Sequence, residues 1–374
     1  MNTPDTAVEL LQALVRIPSV NPDGAPGTDR IGEAECAAYV RDFLLEIGAE
    51  AELREVLPGR PNVVARFPNP AATRRVAFIP HLDTVSIVGM TIDPFAAELR
   101  DGRVWGRGAS DTKGSMAAML WALREETSVR TSGDVEFWFC GTVGEEAGQQ
   151  GARALALQER FDFCVIGEPT GMQVVHAHKG TTWMRISTHG KAVHSSRPEE
   201  GVNAIYQMAE VIRFLSDDCA QSLAGKTDPV LGKPTLSVGT VRGGTKVNIV
   251  PDHCEIALDI RTIPEIATAE WNTEFMKQLQ ERFPGVESEV TAHSPALLTP
   301  ANHPDVERLR AAGFPLTTAP WFCDACVFSE QGMPGIAIGP GSIAQAHTID
   351  EFLSISDLED GVEGFRRMIR LFGN

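Results

Sequence analysis

The sequence predicts an α/β protein: a mixed, mainly parallel sheet flanked by helices, interrupted by a smaller α+β domain. Three observations predict it. Apolar runs of strand length alternate with helix-like segments through the first 170 or so residues, the order that builds a parallel sheet. From about residue 175 the order becomes strand–helix–strand–strand–helix–strand, a ferredoxin-like arrangement of an antiparallel sheet with two helices on one face. The chain then returns to the first pattern. An inserted domain at 175–292 is therefore expected within a larger domain made of 1–174 and 293–374. A length of 374 residues suits two domains better than one core.

Each element has its own signal. Residues 5–16 carry apolar side chains at helical spacing, with Thr3 or Asp5 as the expected cap. Residues 32–47 read as a second amphipathic helix, closed by Gly48. Strands are expected near 51–56, 62–67 and 75–80, a helix at 114–127, a strand at 134–142, a helix at 148–159 and a strand at 162–166. In the insert, strands at 173–178 and 181–188 meet at Lys179-Gly180. A helix at 202–216, strands at 234–242 and 254–262, a helix at 266–282 and a strand at 286–291 follow. A helix at 302–313, a strand at 335–339 and a helix at 356–372 complete the first domain.

Composition narrows the function. The formal net charge is −17, which argues against nucleic acid, whose phosphates attract Lys and Arg, and against anionic membranes. No apolar stretch reaches the ~20 residues of a membrane span, and the N-terminus lacks the basic and apolar regions of a signal peptide. Seven cysteines without a framework fit a reducing cytoplasm. Cys323 and Cys326 form a lone C-x-x-C and read as half-buried thiols, because a structural zinc site needs a second pair.

The chemistry lies at the ends of the apolar runs. R-V-A-F-I-P runs into His81 and Asp83, D-V-E-F-W-F-C-G-T-V into Glu145 and Glu146, and D-F-C-V-I-G into Glu168. His347 follows G-I-A-I-G-P-G-S, and Asp111 stands in a glycine-rich turn before a helix. Ligands of open α/β sheets gather beyond the carboxyl ends of the strands, so these side chains can meet. Imidazoles and carboxylates without thiolates suit zinc, cobalt or manganese. The i, i+2 spacing of His81 and Asp83 lets the carboxylate accept the second ring N–H of His81. Adjacent Glu145 and Glu146, expected at a strand end, would point apart, one toward a metal and one free as a base. Taken singly, His-x-Asp is more often a local hydrogen bond, a Glu pair a solvated surface, Asp111 a helix cap and Glu168-Pro169 a turn. Four apolar strands that each lead to a ligand-type side chain favour the metal reading.

P-H-L-D-T-V, G-R-G-A-S-D-T-K-G, V-G-E-E-A-G and I-G-E-P-T resemble the zinc aminoacylase and carboxypeptidase superfamily. With H-A-H-K-G and G-P-G-S-I-A-Q-A-H the chain looks most like its acetylornithine deacetylase and succinyl-diaminopimelate desuccinylase group, over nearly its whole length. The resemblance implies that His81 and Glu168 hold one metal, Glu146 and His347 the other, and Asp111 bridges them. It implies Glu145 as general base, Asp83 as the group that orients His81, and a cis peptide after Asp111. The insert would be a lid and dimerisation domain. Its His194 would reach the scissile carbonyl, and Asn248 and Arg261 would hold the substrate carboxylate. The implied cofactor is one or two Zn2+ per subunit, with Co2+ or Mn2+ as alternatives. The implied protein is a cytoplasmic homodimer that hydrolyses the amide of an N-acyl amino acid, as in arginine biosynthesis. A dipeptidase or carboxypeptidase with the same donors is the second reading, and a catalytically silent metal-binding scaffold the third. The chain departs from the family where Thr112 stands in place of the usual Met, and where A-G-Q-Q-G follows the Glu pair. Without the resemblance, His194 reads as a loop histidine and Arg261 as half of a surface ion pair. His176, His178 and His189 read as structural or solvent-facing, and Trp183 and Trp321 as buried packing.

Overall fold

A computed structural model describes residues 4–23, 25–130 and 132–373, which form two compact units. The first comprises Met1–His176, Thr299–Thr317 and Cys323–Asn374, and the second Ala177–Leu298 with Thr318–Phe322.

In the first unit the strands Val135–Gly141, Arg74–Pro80, Phe163–Gly167 and Gly335–Ile338 lie side by side and parallel. The hairpin Glu50–Leu57 and Arg60–Arg66 extends one side antiparallel, and Val174–His178 pairs antiparallel on the other. The middle strands are apolar along their length because both faces are covered. Val76, Phe78, Phe137, Phe139, Phe163 and Val165 pack with Met116, Leu120 and Leu123 of the helix Lys113–Glu125 and with Phe365 and Phe372 of the helix Ile355–Gly373.

Register fixes where the strands end. Pro80 pairs with Gly167, and Phe78 with both Phe139 and Val165. The next residues, His81 and Glu168, therefore emerge from neighbouring strands at one level. Thr142 joins them, since its backbone bridges to His81 and its carbonyl accepts the Leu82 N–H at 2.7 Å.

The second unit has a four-stranded antiparallel sheet in the order Thr235–Gly243, His253–Thr262, Gly180–His189, Glu287–Ser294. Alternate residues of its central strands (Met184, Ile186, Ile256, Leu258, Ile260) are buried. They pack with Met208 and Val211 of the helix Ala204–Phe214 and with Phe275 and Leu279 of the helix Ala269–Arg282.

Local chemistry moves several expected boundaries. The first helix is Ala7–Arg16, and its cap is Thr6, whose side chain accepts the Glu9 N–H while Glu9 reaches back to the Asp5 N–H. Thr3 lies outside the described residues. The helix expected to end at 216 continues through a π turn, Leu215–Cys219, into Ala220–Ala224. A small sheet of Glu98–Arg100, Arg103–Trp105 and Phe352–Ser354 was not foreseen, because three-residue strands carry too little alternation to read. Cys323 and Cys326 are free and fully buried rather than half-buried. Trp183 is exposed, not packed inside.

Candidate metal centre

His81, Asp111, Glu145, Glu146, Glu168 and His347 converge in the first unit. Their donor atoms form three overlapping groups, each within 4.8 Å: His81, Asp111 and Glu168; Asp111, Glu146 and His347; His81, Glu145 and Glu146. Asp111 belongs to the first two. Its Oδ1 lies 3.1 Å from His81 Nε2 and its Oδ2 3.6 Å from His347 Nε2, so one carboxylate faces two histidines. His347 Nε2 also meets Glu146 Oε2 at 3.1 Å.

The electrostatics call for positive charge. Burial and mutual repulsion push the Glu145, Glu146 and Glu168 carboxyls above the usual carboxylate range. Burial opposes a charged His81, yet hydrogen bonds to Asp111 and Asp83 hold its imidazole well above the ordinary value. The hydrogen bond to Glu146 raises His347 likewise. Glu146 Oε1 and Glu168 Oε1 are buried without a hydrogen-bond partner among the described residues. Unpaired buried acceptors are costly, and two divalent cations sharing Asp111 would satisfy these. The residues present fit such a pair.

Two details of the sequence reading are corrected. Glu145 and Glu146 do not end a strand. The strand stops at Gly141, and the pair opens a short 3-10 turn, Glu145–Ala147, entered through Gly144 at φ 75°. The nearest partner of His81 Nδ1 is the Asp83 main-chain carbonyl at 2.9 Å, with the carboxylate at 3.6 Å. That carboxylate turns elsewhere. Its Oδ1 and Oδ2 accept the N–H groups of Glu145 and Glu146, both at 3.1 Å, and Oδ2 also accepts Asn21 Nδ2 at 2.8 Å. The i, i+2 spacing carries no sign of the turn that competes for this carboxylate.

The turn holding Asp111 is fastened on several sides. The Asp111–Thr112 peptide is cis. The Thr112 hydroxyl donates to the Gly167 carbonyl at 2.6 Å, tying Asp111 to the strand end before Glu168. Buried Lys113 donates to the carbonyls of Leu14 and Ile17, at the end of the first helix. The segment after the Glu pair is tightly packed at one point. Gly151 presses against the Val143 backbone, where a Cβ would lie 2.3 Å from Val143 N.

Sequence reading missed Asp324, Lys113, Asn21, Arg107 and Glu351. Asp324 is buried, accepts the Thr142 hydroxyl at 2.9 Å, and is pushed up to about 6 by burial. A lone Asp before a six-residue helix gives no signal, and the others lie outside the long apolar runs.

His194, Asn248 and Arg261 belong to the second unit. His194 is exposed, with Nδ1 2.8 Å from Ser196 Oγ. The Asn248 carbonyl accepts the Ser195 N–H at 3.0 Å. Arg261 Nε donates to Asp259 at 2.9 Å. A cavity of about 790 Å³ in this unit is lined by Ser195, Asn203, Tyr206, Gly244, Lys246 and Ile249 among others. Both His194 and Asn248 adjoin that lining in sequence.

Known proteins resemble this chain in sequence and in fold. The model of peptidase family M20/M25/M40 matches residues 77–371. The chain is 31% identical over 381 residues to an acetylornithine deacetylase of Proteus mirabilis, covering 98% of this chain and 97% of that one. Its fold is like that of an M20 family metallo-carboxypeptidase from Sulfolobus solfataricus, with a TM-score of 0.82 at 20% identity over 99% of this chain and 100% of the other. It is also like that of a dinuclear metal-binding M20 peptidase from Bacillus subtilis, with a TM-score of 0.68 at 15% identity over 98% and 97%.

Proposed function

Because the chain belongs to peptidase family M20/M25/M40 and is thereby a metallohydrolase, we propose that it removes the acyl group from an N-acyl amino acid, as an acetylornithine deacetylase does. The observation that carries the reading is the single carboxylate, Asp111, facing His81 and His347 with Glu145 held beside them.

In this reading His81, Asp111 and Glu168 hold one divalent cation, and Asp111, Glu146 and His347 a second. Zinc is our choice, with cobalt or manganese as alternatives. When bound, the cations supply Lewis-acid polarisation and a lowered pKa for water. The chain's own residues do the rest. Glu145 takes a proton from the attacking water on a carboxylate oxygen and passes it to the amide nitrogen as the C–N bond breaks. Asp83 holds the Glu145 turn by its backbone, so the base keeps its place through the proton transfer. His194 is assigned to the developing oxyanion, and Asn248 and Arg261 to the substrate carboxylate, on the strength of their motifs. A cytoplasmic homodimer formed through the insert belongs to the same proposal. The −17 charge fits a small-molecule substrate rather than nucleic acid.

The test is a hydrolysis panel on metal-loaded protein: N-acetyl amino acids, N-succinyl-diaminopimelate and dipeptides, with a chelator control. Chelator-sensitive release from an acylated amino acid is expected. Turnover of dipeptides alone would move the assignment to the dipeptidase or carboxypeptidase reading. Silence with two metals bound would point first to an acyl group outside the panel, and only then to the scaffold.

A further inference from the structure

One buried ion pair lies behind the donor set and takes no part in the mechanism above. Glu351 is 1% exposed and Arg107 3%. Glu351 Oε1 accepts the backbone N–H groups of Ser110 and Asp111, both at 2.8 Å. Its Oε2 accepts the Gly108 N–H at 2.8 Å and Arg107 Nη1 at 2.9 Å. Four donors thus converge on one carboxylate, which fixes the three-residue approach to Asp111. Arg107 spends its other nitrogens on two carbonyls, Ser86 at 3.1 Å and Thr348 at 3.1 Å. Thr348 follows His347, which adopts φ 60°, in the left-handed region that a residue with a side chain avoids unless its neighbours hold it there.

We propose that Arg107 and Glu351 are positioning residues for the Asp111–Glu146–His347 site: the pair welds the turn carrying Asp111 to the loop carrying His347, and so sets the spacing of two of that site's three donors. The inference rests on the metal reading given above. Asp111 serves both sites, so the physical ground is the contrast in how each site's other donors are placed relative to it. His81 and Glu168 stand on the ends of adjacent parallel strands, where the sheet ladder sets their separation. Asp111 and His347 stand on two loops more than two hundred residues apart in sequence, and the buried pair joins those loops directly. A charged carboxylate is required here, because an amide offers one acceptor oxygen to four donors.

The test is a Co2+ titration of the full chain, read by visible absorption and by competition with a chelator, on wild type, Glu351→Gln and Arg107→Lys. Wild type is expected to take two equivalents. In Glu351→Gln the second equivalent should bind about 10–100-fold more weakly, the usual cost of removing a group that orients a metal ligand. The first equivalent should shift less. Arg107→Lys keeps the charge and loses the fork, so it should move the second equivalent in the same direction by less, and it decides the matter if Glu351→Gln does not fold. Variants that fold and take both equivalents as wild type does would overturn the proposal and leave the metal reading standing. Equal weakening of both equivalents would make the pair a general structural brace, again overturning it. A wild type that binds no Co2+ would remove the metal reading, and the proposal with it.

Discussion

Asp83 and Glu145 are joined through the main chain: Asp83 Oδ1 accepts the Glu145 N–H at 3.1 Å. The other oxygen accepts the Glu146 N–H and the Asn21 amide. A residue expected to serve a histidine thus holds the turn that carries Glu145. Asp83→Asn keeps the shape but leaves one acceptor oxygen for these donors, so the turn should loosen. We expect kcat to fall about 10–100-fold, with a smaller fall for Asn21→Ala. Steady-state kinetics at saturating metal check this, and an unchanged kcat in both variants would mean that the backbone contacts are incidental.

In the proposed reading Glu145 differs from its neighbours in task, and substitution should separate the tasks. Glu145→Gln keeps the volume and removes the proton acceptor. Metal content should stay at the wild-type level while kcat falls by about 10²–10⁴. Metal analysis beside single-turnover rates checks the pair of outcomes. Retained turnover would remove Glu145 from the base role, and lost metal would make it a ligand, as its place in the His81, Glu145 and Glu146 group permits.

Thr112 is a departure from the family pattern with a physical use. Its hydroxyl reaches the Gly167 carbonyl at 2.6 Å, between Asp111 and Glu168. Thr112→Val preserves the shape and deletes one buried hydrogen bond, leaving that carbonyl without this donor. A loss of about 1–2 kcal/mol in stability is expected, together with weaker metal retention against a chelator. Thermal unfolding with and without metal reads both, and a variant with wild-type stability would show that the bond contributes nothing net.

The fold and the donors His81 and Glu168 were legible for one reason: parallel strands end in sequence where they end in space. His81 and Glu168 each follow an apolar run, and register then brings them level. Hidden from the sequence were the groups that hold the donors. Asp83 looked like a partner of His81 because spacing along a strand is readable, whereas the turn that competes for its carboxylate comes from 62 residues further on. Glu351 carries no local signal at all, since its four donors lie 240 to 244 residues back. The three-residue strands around Trp105 and Phe352 were missed because their length gives no period: Phe352–Ser354 pairs at long range, and even the local hairpin of Glu98–Arg100 with Arg103–Trp105 is too short to read.

His178 supplies a pH dependence in the second unit. It is fully buried, and Nδ1 donates to the Lys179 carbonyl at 2.9 Å, while Nε2 has no partner among the described residues. Burial lowers its pKa from 6.5 to about 4. The folded state therefore binds fewer protons than the unfolded state between those values, so stability rises with pH across that window. The contribution is complete above pH 6.5 and is lost as pH falls toward 4, amounting to about 3 kcal/mol at full extent. Urea midpoints followed by tryptophan fluorescence at pH 7, 5.5 and 4.5 (set by this window) measure it. Other carboxylates titrate at the acid end, so the comparison is with His178→Gln, which cannot take up the proton. The variant should lose less stability than wild type between the first two points, where few carboxylates change state. Parallel slopes for the two proteins would mean that water or a local rearrangement solvates the ring, and that the buried imidazole sets no limit on acid stability.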